Sequence, residues 1–423
     1  MRRVLNLALL VACGGDARDS KRDTDTSGPS PDDTATDTGP PAPPCATGAW
    51  GALSDPADAV HVRADGDDAA DGSADRPFAT FDVALTATRA DGGLRTIFLG
   101  PGTFPVSASL ETLTAEGASD DGLAVLGCPG ETTLEAADDA LPVVKISGVQ
   151  GLLLADLTLS GGLRTVQVWQ AAVATLERVT IVGGRRAGMV GDGGCDLTLD
   201  EVEVREVLAD DDGSFGYGIS VRESALSMTG GGVWDATGVG ILAHFSTTVL
   251  ADVTVSGTQV AADGSLGRGI QVQESGEATI TGGTYEDNAD AGLFALRVDT
   301  FDVAGAYISR TLATPLADGS DSTGDGIVVT RGDSLTDPTW FWTSVSGATV
   351  EDSERAGMVF DGVEVRGLDG NALTGAGAAS GSVYVQGGAV VTSATDPWVD
   401  VTSDGLPAFG LAVTPLEVDE LDG

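Results

Sequence analysis

The sequence is poor in positive charge, in aromatic side chains and in long apolar runs. Only 22 of its 423 residues are Lys or Arg, against 64 Asp or Glu, and only two are His. The resulting net charge of −42 excludes a basic surface for nucleic acid, because such a chain repels phosphates. No internal segment is apolar enough to cross a bilayer as a helix, and long 3.6-residue periodicity is missing, which argues against helical architectures.

What the sequence has instead is glycine, proline and a repeated β pattern. It holds 60 Gly and 17 Pro, and its Val and Thr residues alternate in short runs typical of strands and turns. A six-residue unit, seen at 176–181 as LERVTI, carries apolar residues at its first, fourth and sixth positions. The first position recurs at spacings of 22 or 23 residues with occasional longer gaps, at Leu154, Leu176, Leu199, Met228, Leu250, Ile280, Val303, Val345 and Leu368.

A second landmark, a Gly followed by an apolar residue, lies between successive units. It occurs at Gly188, Gly218, Gly240, Gly269, Gly292, Gly326 and Gly357. A fixed spacing with insertions is the signature of stacked coils. We therefore predict an all-β solenoid over residues 111–403 with about ten to twelve coils, each carrying at least two strands, and a C-terminal cap or tail over 404–423.

Residues 45–110 carry the pattern expected at the entry of such a stack. Asp-Gly turns at 65–68 and 71–73 are followed by Phe78, Phe81 and Leu85, spaced as on one face of a helix, and then by a strand that leads into PGTF at 101–104. A short amphipathic helix here would cover the open end of the first coils, whose backbone edges would otherwise be unpaired.

This entry resembles the opening of right-handed parallel β-helix proteins of the pectin lyase-like superfamily, and the repeats extend the resemblance over the rest of the chain. The resemblance implies a right-handed parallel β-helix. It does not specify an activity, because the superfamily includes lyases, hydrolases, esterases and non-enzymatic adhesins.

The N-terminus predicts export and anchoring. Residues 1–12 begin with two Arg and continue with a short apolar core, and Leu10-Val11-Ala12-Cys13 resembles the lipobox of bacterial lipoproteins. The resemblance implies acylation of Cys13 and, because Gly14 is not an aspartate, an outer-membrane location at the cell surface. An ordinary signal peptide or a misassigned start are the alternatives. Residues 13–44, rich in Asp, Thr, Ser and Pro, are predicted to form a disordered tether.

Three cysteines remain if Cys13 is acylated, an odd number for an oxidising compartment. Cys45 lies just before the fold and Cys128 within its first coils, so a disulfide between them is predicted to fasten the entry. Cys195 would then be a buried free thiol.

Acidic residues recur between the end of each unit and the next Gly. Three Asp-Gly-Ser loops and three single aspartates are predicted to form a column along one edge, at Asp212, Asp235, Asp263, Asp287, Asp318 and Asp352. Such a column could bind calcium, as metal ligands, or a carbohydrate. Alternatively, these residues only form turns by accepting hydrogen bonds from backbone amides.

Alternation after the Gly landmark predicts a second set of outward side chains, at Arg222, His244, Gln273, Leu296, Thr330 and Asp361. Arg222 and His244, with Glu223 and Glu274 nearby, form the best acid–base group. The competing interpretation is a solvated surface.

The function that these patterns favour is a lipid-anchored, monomeric cell-surface module with an acidic face, which binds calcium, carbohydrate or both and interacts with the envelope. The alternative is a polysaccharide lyase or hydrolase that uses Arg222 and His244.

Overall fold

The computed structural model describes residue 45 and residues 59–91, 95–106, 108–111, 118–261, 266–313, 323–332, 341–374 and 383–395. Among these residues there is one helix, Phe81–Ala90 (α1), and it is too short to span a membrane. All other regular structure in this part of the chain is β-strand. The prediction of an all-β fold with one short entry helix is confirmed.

The described strands form three parallel sheets. Sheet I has thirteen strands: β1 (Ala59–Val62), β2 (Thr96–Leu99), β5 (Ala124–Leu126), β8 (Gln150–Ala155), β11 (Val173–Glu177), β14 (Asp196–Asp200), β17 (Ala225–Thr229), β20 (Thr247–Ala251), β23 (Glu277–Thr281), β26 (Thr300–Ala304), β29 (Trp342–Ser346), β32 (Glu364–Asp369) and β35 (Val390–Val391). Sheet II has eleven: β4 (Ala108–Glu111), β7 (Val144–Ser147), β10 (Arg164–Trp169), β13 (Ala187–Asp192), β16 (Tyr217–Arg222), β19 (Val239–His244), β22 (Arg268–Gln273), β25 (Ala291–Leu296), β28 (Asp325–Thr330), β31 (Ala356–Asp361) and β34 (Val383–Gln386). Sheet III also has eleven: β3 (Gly102–Val106), β6 (Thr132–Ala136), β9 (Thr158–Ser160), β12 (Thr180–Val182), β15 (Glu203–Arg205), β18 (Gly232–Trp234), β21 (Thr254–Ser256), β24 (Thr284–Glu286), β27 (Tyr307–Ser309), β30 (Thr349–Glu351) and β33 (Ala372–Thr374).

Each coil passes from sheet II to sheet I to sheet III and then back to sheet II one layer further on. Strand β10, for example, pairs in parallel with β7 before it and with β13 after it. This order is that of a parallel β-helix of about ten to twelve coils and confirms the predicted solenoid. A right-handed coil is the hand that twisted strands of L-residues favour. Stacking already begins at β1, within the segment predicted as the entry.

The apolar repeat fills the interior in the predicted register. The first positions of the unit are consecutive partners in sheet I, from Leu154 paired with Leu176 to Val345 paired with Leu368. The sixth positions of the unit, which carry its third apolar residue, are partners in sheet III, as Val233 is with Val255. The residues after each landmark Gly are partners in sheet II, as Ile219 is with Ile241. The unit therefore spans one corner of the coil, with its first and third apolar residues on different sheets.

The corner between sheets I and III requires a left-handed backbone conformation. Asp156, Arg178, Glu201 and Asp252 occupy it at φ between 52° and 57°, and glycines occupy it in other coils. The amide at this corner donates to a carbonyl of the next coil, as Arg178 N does to Asp200 O at 2.8 Å. The corner thus satisfies its own backbone groups by stacking, which stabilises a conformation that is otherwise unfavourable for non-glycine residues.

The entry helix covers the first coils as predicted. Phe81, Ala84 and Leu85 of α1 are buried against β1, β2 and β3. Phe78 precedes the helix and forms a bridge with Val62 instead of lying on it. Asp68 accepts hydrogen bonds from the amides of Ala79 and Thr80, at 2.9 and 3.0 Å, so its carboxylate holds the two residues that lead into the helix.

The three described cysteines are arranged as their positions predict. Cys45 and Cys128 form a disulfide that closes a loop of 83 residues. Cys195 is a buried free thiol, and its burial raises the pKa of that thiol. Cys13 lies outside the described residues, so its acylation stays a prediction.

Candidate functional site

The turns after sheet III hold three of the six predicted aspartates in one register. Asp235, Asp287 and Asp352 each directly follow a strand of sheet III and have positive φ. The coils between them place Gly257 and Arg310 at the same position, as the stacked backbone hydrogen bonds show. Asp235 and Asp287 therefore stand two layers apart, about 10 Å, rather than on adjacent layers.

Two of the predicted carboxylates, those of Asp287 and Asp212, accept hydrogen bonds from groups of the protein itself. Arg310 donates to both oxygens of Asp287, at 2.7 Å each, and this contact lowers the pKa of Asp287. Asp212 does not share the register. In its coil the residue directly after the sheet III strand is Glu206, and Asp212 lies further along the loop that leads to β16. Its carboxylate accepts from Ser214 N at 2.9 Å and Ser214 Oγ at 2.5 Å, which lowers the pKa of Asp212.

The turn-forming interpretation therefore describes Asp212, whose carboxylate accepts from the Ser214 amide, whereas Asp287 is held by an ion pair with Arg310. Asp263 and Asp318 lie outside the described residues. Within the described ranges, no group of three or more His, Cys, Asp or Glu side chains is placed to hold a metal ion. The described members do not form the continuous carboxylate column that was expected.

The outward column on sheet II is continuous and in the predicted register. Six side chains are stacked partners in consecutive coils, and Asp192 precedes them: Asp192, Arg222, His244, Gln273, Leu296, Thr330 and Asp361. Gln273 and Leu296 are fully buried and Thr330 is 1% exposed, so the expectation of a solvated surface is wrong for these coils. The neighbouring outward side chains Phe294 and Val328 are also buried, and with Leu296 they belong to a separate apolar cluster.

Arg222 is fixed in place by the preceding coil. Its Nε and Nη2 atoms donate to the two carboxylate oxygens of Asp192 at 2.9 and 2.8 Å. The Asp192 side chain is 9% exposed and that of Arg222 is 23% exposed. A bidentate pair of this kind holds a planar guanidinium in one orientation beside His244.

His244 is half-buried between Arg222 and Gln273. Its Nδ1 atom lies 2.8 Å from Gln273 Nε2, and its ring meets Phe245 edge-on at 4.4 Å between centroids. Burial is the main cause that lowers the pKa of His244; Arg222 lowers it further, while Glu274 and Glu223 oppose that change. Both carboxylates thus act electrostatically on the imidazole, as the sequence predicted for this group.

Phe245 stands at the turn between sheet II and sheet I. It is 49% exposed, and its φ of 47° is unusual for a bulky side chain. Glu223 and Glu274 occupy the same turn in the coils before and after it, also at positive φ. Glu274 in turn accepts from Arg297 Nη1 at 2.8 Å. The turn therefore presents an aromatic face flanked by two carboxylates.

A buried polar chain behind His244 was not found from the sequence. Gln273 Oε1 accepts from Gln271 Nε2 at 2.5 Å, and Gln271 Oε1 accepts from Arg268 Nη1 at 2.7 Å. Arg268 also donates to Asp290 at 2.7 Å and covers the Phe294 ring at 3.7 Å. The alternation in RGIQVQ, which puts Gln271 and Gln273 on the same outward side of β22, is the signal that could have indicated the glutamine part of it.

The site therefore combines an aromatic face, two fixed nitrogen donors and nearby carboxylates within a few layers of the stack. Such a set can bind a polyhydroxylated molecule, because sugar C–H groups pack on an aromatic ring while hydroxyl oxygens accept from N–H groups. It also contains an imidazole and carboxylates of the kind used in general acid–base catalysis.

Comparisons with known proteins find only distant similarity, to solved structures. No family model matches the chain, and no curated protein does. The crystal structure of pectate lyase Pel9A is 12% identical, covers 82% of this chain and 81% of its own, and has a TM-score of 0.46.

Two further solved structures are similar at this level. The A-module of the Azotobacter vinelandii mannuronan C-5 epimerase AlgE6 is 15% identical over 73% of this chain and 93% of its own, with a TM-score of 0.39. The catalytic domain of the GH87 α-1,3-glucanase is 13% identical over 82% and 69%, with a TM-score of 0.37. Similarities this low do not transfer an activity.

Proposed function

We propose that this protein binds carbohydrate at the outer face of sheet II, at the surface formed by Arg222, His244 and Phe245. The observation that carries the proposal is Phe245. A large aromatic residue is held in a strained left-handed turn, 49% exposed, directly beside a positioned imidazole.

In the proposed complex, a sugar ring lies on Phe245 and its hydroxyl groups meet the neighbouring polar side chains. His244 donates from Nε2, and Glu223 and Glu274 accept from hydroxyl groups on either side of the ring. The Asp192–Arg222 pair keeps the floor of the site in place. A neutral or weakly charged sugar is favoured, because the chain carries a net charge of −42.

The proposal is tested by calorimetric titration of the full-length protein with a panel of soluble polysaccharides and oligosaccharides. Phe245→Ala is expected to weaken binding by at least tenfold, because it removes the stacking face. Leu312→Ala is the matched control, since Leu312 is 48% exposed in a turn after sheet III. Equal binding by the two variants, or no binding by the unaltered protein, would contradict the proposal.

A second candidate function is a polysaccharide lyase or hydrolase at the same site. It is favoured by the imidazole of His244, which lies beside Arg222 and within electrostatic reach of Glu223 and Glu274 and is the kind of group that acid–base chemistry uses. Release of new reducing ends or unsaturated products from a polysaccharide would support it. That activity must then be lost in His244→Ala and Arg222→Ala, and an activity that persists in both variants would exclude this site.

We further propose that the protein is attached to the outer membrane of a bacterial cell through an acylated Cys13 and acts at the cell surface. The support is the sequence from Leu10 to Cys13 alone. Incorporation of a labelled fatty acid by the unaltered protein and its loss in Cys13→Ser is the expected result. Equal labelling of both proteins would contradict the anchor.

A further inference from the structure

A chain of four buried or half-buried side chains crosses two layers of sheet II and ends at His244. Arg268 donates to Gln271, Gln271 contacts Gln273, and Gln273 contacts His244 Nδ1, at 2.7, 2.5 and 2.8 Å. Both glutamines are 0% exposed. The Arg268 side chain is 12% exposed and is held at its other side by Asp290.

The donor and acceptor at each hydrogen bond in this series of side chains follow from the chemistry of Arg268. A guanidinium can only donate, so the atom of Gln271 that faces Arg268 is its carbonyl oxygen. Its amide nitrogen therefore faces Gln273 and donates to the carbonyl oxygen there. The amide nitrogen of Gln273 is left to face His244, and the imidazole Nδ1 must accept.

We propose that Arg268, Gln271 and Gln273 are positioning residues that hold His244 as a neutral imidazole with its proton on Nε2. Protonation at Nδ1 would place an N–H against the Gln273 amide N–H. Gln273 cannot rotate its amide to relieve this contact, because its nitrogen would then face the nitrogen of Gln271. The whole chain would have to reverse, and Arg268 cannot accept a hydrogen bond.

The charged groups around His244 do not remove this constraint. Glu223 and Glu274, in the turns of the adjacent coils, favour the imidazolium, whereas Arg222 on β16 and the burial of the ring disfavour it. Asp192 and Arg297 are engaged with Arg222 and Glu274 respectively. His244 therefore acts as a hydrogen-bond donor from Nε2, and the role of that donor toward a sugar hydroxyl rests on the proposed carbohydrate-binding function.

The experiment is nuclear magnetic resonance of the full-length protein with ¹⁵N-labelled histidine, recorded without ligand. The chain has only two histidines, His61 and His244, so His244→Gln assigns the spectrum. The unaltered protein is expected to show Nε2 protonated and Nδ1 unprotonated. In Gln273→Glu a carboxylate faces Nδ1 and can only accept, so the proton is expected to move to Nδ1 and the pKa to rise by about one to three units.

Gln167→Glu is the matched control, because Gln167 is an outward glutamine on β10, three strands away from β19 in sheet II. It is expected to leave the His244 tautomer unchanged. Gln271→Leu is the second variant if Gln273→Glu does not fold, and it is expected to give a mixture of tautomers because Gln273 can then rotate.

An Nδ1-protonated imidazole in the unaltered protein would overturn the proposal. An unchanged Nε2 tautomer in both Gln273→Glu and Gln271→Leu would overturn it as well. The spectra contain no carbohydrate, so their outcome is separate from that of the binding titration. A protein that shows the expected tautomer shift but binds no sugar would refute the proposed function and leave the positioning chain intact.

Discussion

Ion pairs occur both in the turns after sheet III and on the outer face of sheet II, but those in the turns are exposed and those on sheet II are buried. Arg310 and Asp287 in a turn are 46% and 45% exposed, whereas Arg355 and Asp325 on sheet II are 11% and 0% exposed. Solvent screens the first pair and not the second. The difference separates exposed ion pairs in the turns from buried ion pairs that hold side chains in place along sheet II.

The largest expected effect comes from breaking the buried pair. Arg355→Met leaves Asp325 buried without its bidentate partner, so we expect a loss of about 3 to 5 kcal/mol in unfolding free energy. The unfolding midpoint in urea measures it. Arg310→Met is the matched control, with an expected loss below about 1 kcal/mol because its pair is exposed.

A double variant sharpens the same test. Arg355→Met combined with Asp325→Leu removes both charges, so most of the lost stability is expected to return. Equal losses in Arg355→Met and Arg310→Met would show that burial does not distinguish the two regions.

A smaller effect, this time an increase in stability, is expected from Phe245→Gly. A non-glycine residue in the left-handed region costs about 1 to 2 kcal/mol, so relief of the φ of 47° should raise the stability by about 1 kcal/mol after the entropy of glycine is counted. Thermal unfolding measures the gain. Leu312→Gly, at an exposed position without positive φ, should instead lower the midpoint, and a fall in both variants would argue against strain at Phe245.

Acidification should affect the sheet II site in a definite direction. The folded pKa of His244 lies below its unfolded value of about 6.5. The unfolded chain therefore binds the proton first, and stability that is fully present above about pH 6.5 is lost as the pH falls towards the folded pKa. The slope of unfolding free energy between pH 7 and pH 5 should be shallower in His244→Gln, and an unchanged slope would contradict this assignment.

The smallest effect is expected from calcium on the turns after sheet III. Ser214 and Arg310 already engage Asp212 and Asp287, so millimolar calcium should leave the melting temperature unchanged. A rise that chelator reverses would contradict this expectation. Variants of Asp263 and Asp318, which lie outside the described residues, would then be compared with a variant of Asp235.

The interior was predictable because its signal is periodic. Leu176, Leu199 and Met228 are partners in adjacent coils, as their spacing indicates, since only one register keeps every apolar side chain inside. The outward position of Arg222 beside His244 followed from the same register by alternation. The apolar repeat of the core therefore predicted both the fold and the outward column of side chains that carries the site.

The chemistry of the outward faces was less predictable, because it depends on side-chain contacts that have no period. Asp212 and Asp235 lie at similar distances before the next landmark Gly, but Asp212 lies in a longer loop and its carboxylate accepts from Ser214. Gln271 was not singled out, since an outward glutamine is usually solvated, and its burial depends on neighbours that the repeat does not specify.

The disulfide determines how the fold would respond to mechanical force. A pull applied ahead of Cys45 reaches the stack through the bond to Cys128, which lies two residues after the third strand of sheet I. The segment between Cys45 and Cys128, which includes α1, is bypassed by that force. Tension is therefore transmitted to backbone hydrogen bonds shared by several coils, and the first strand is protected from being peeled away unless the bond is reduced.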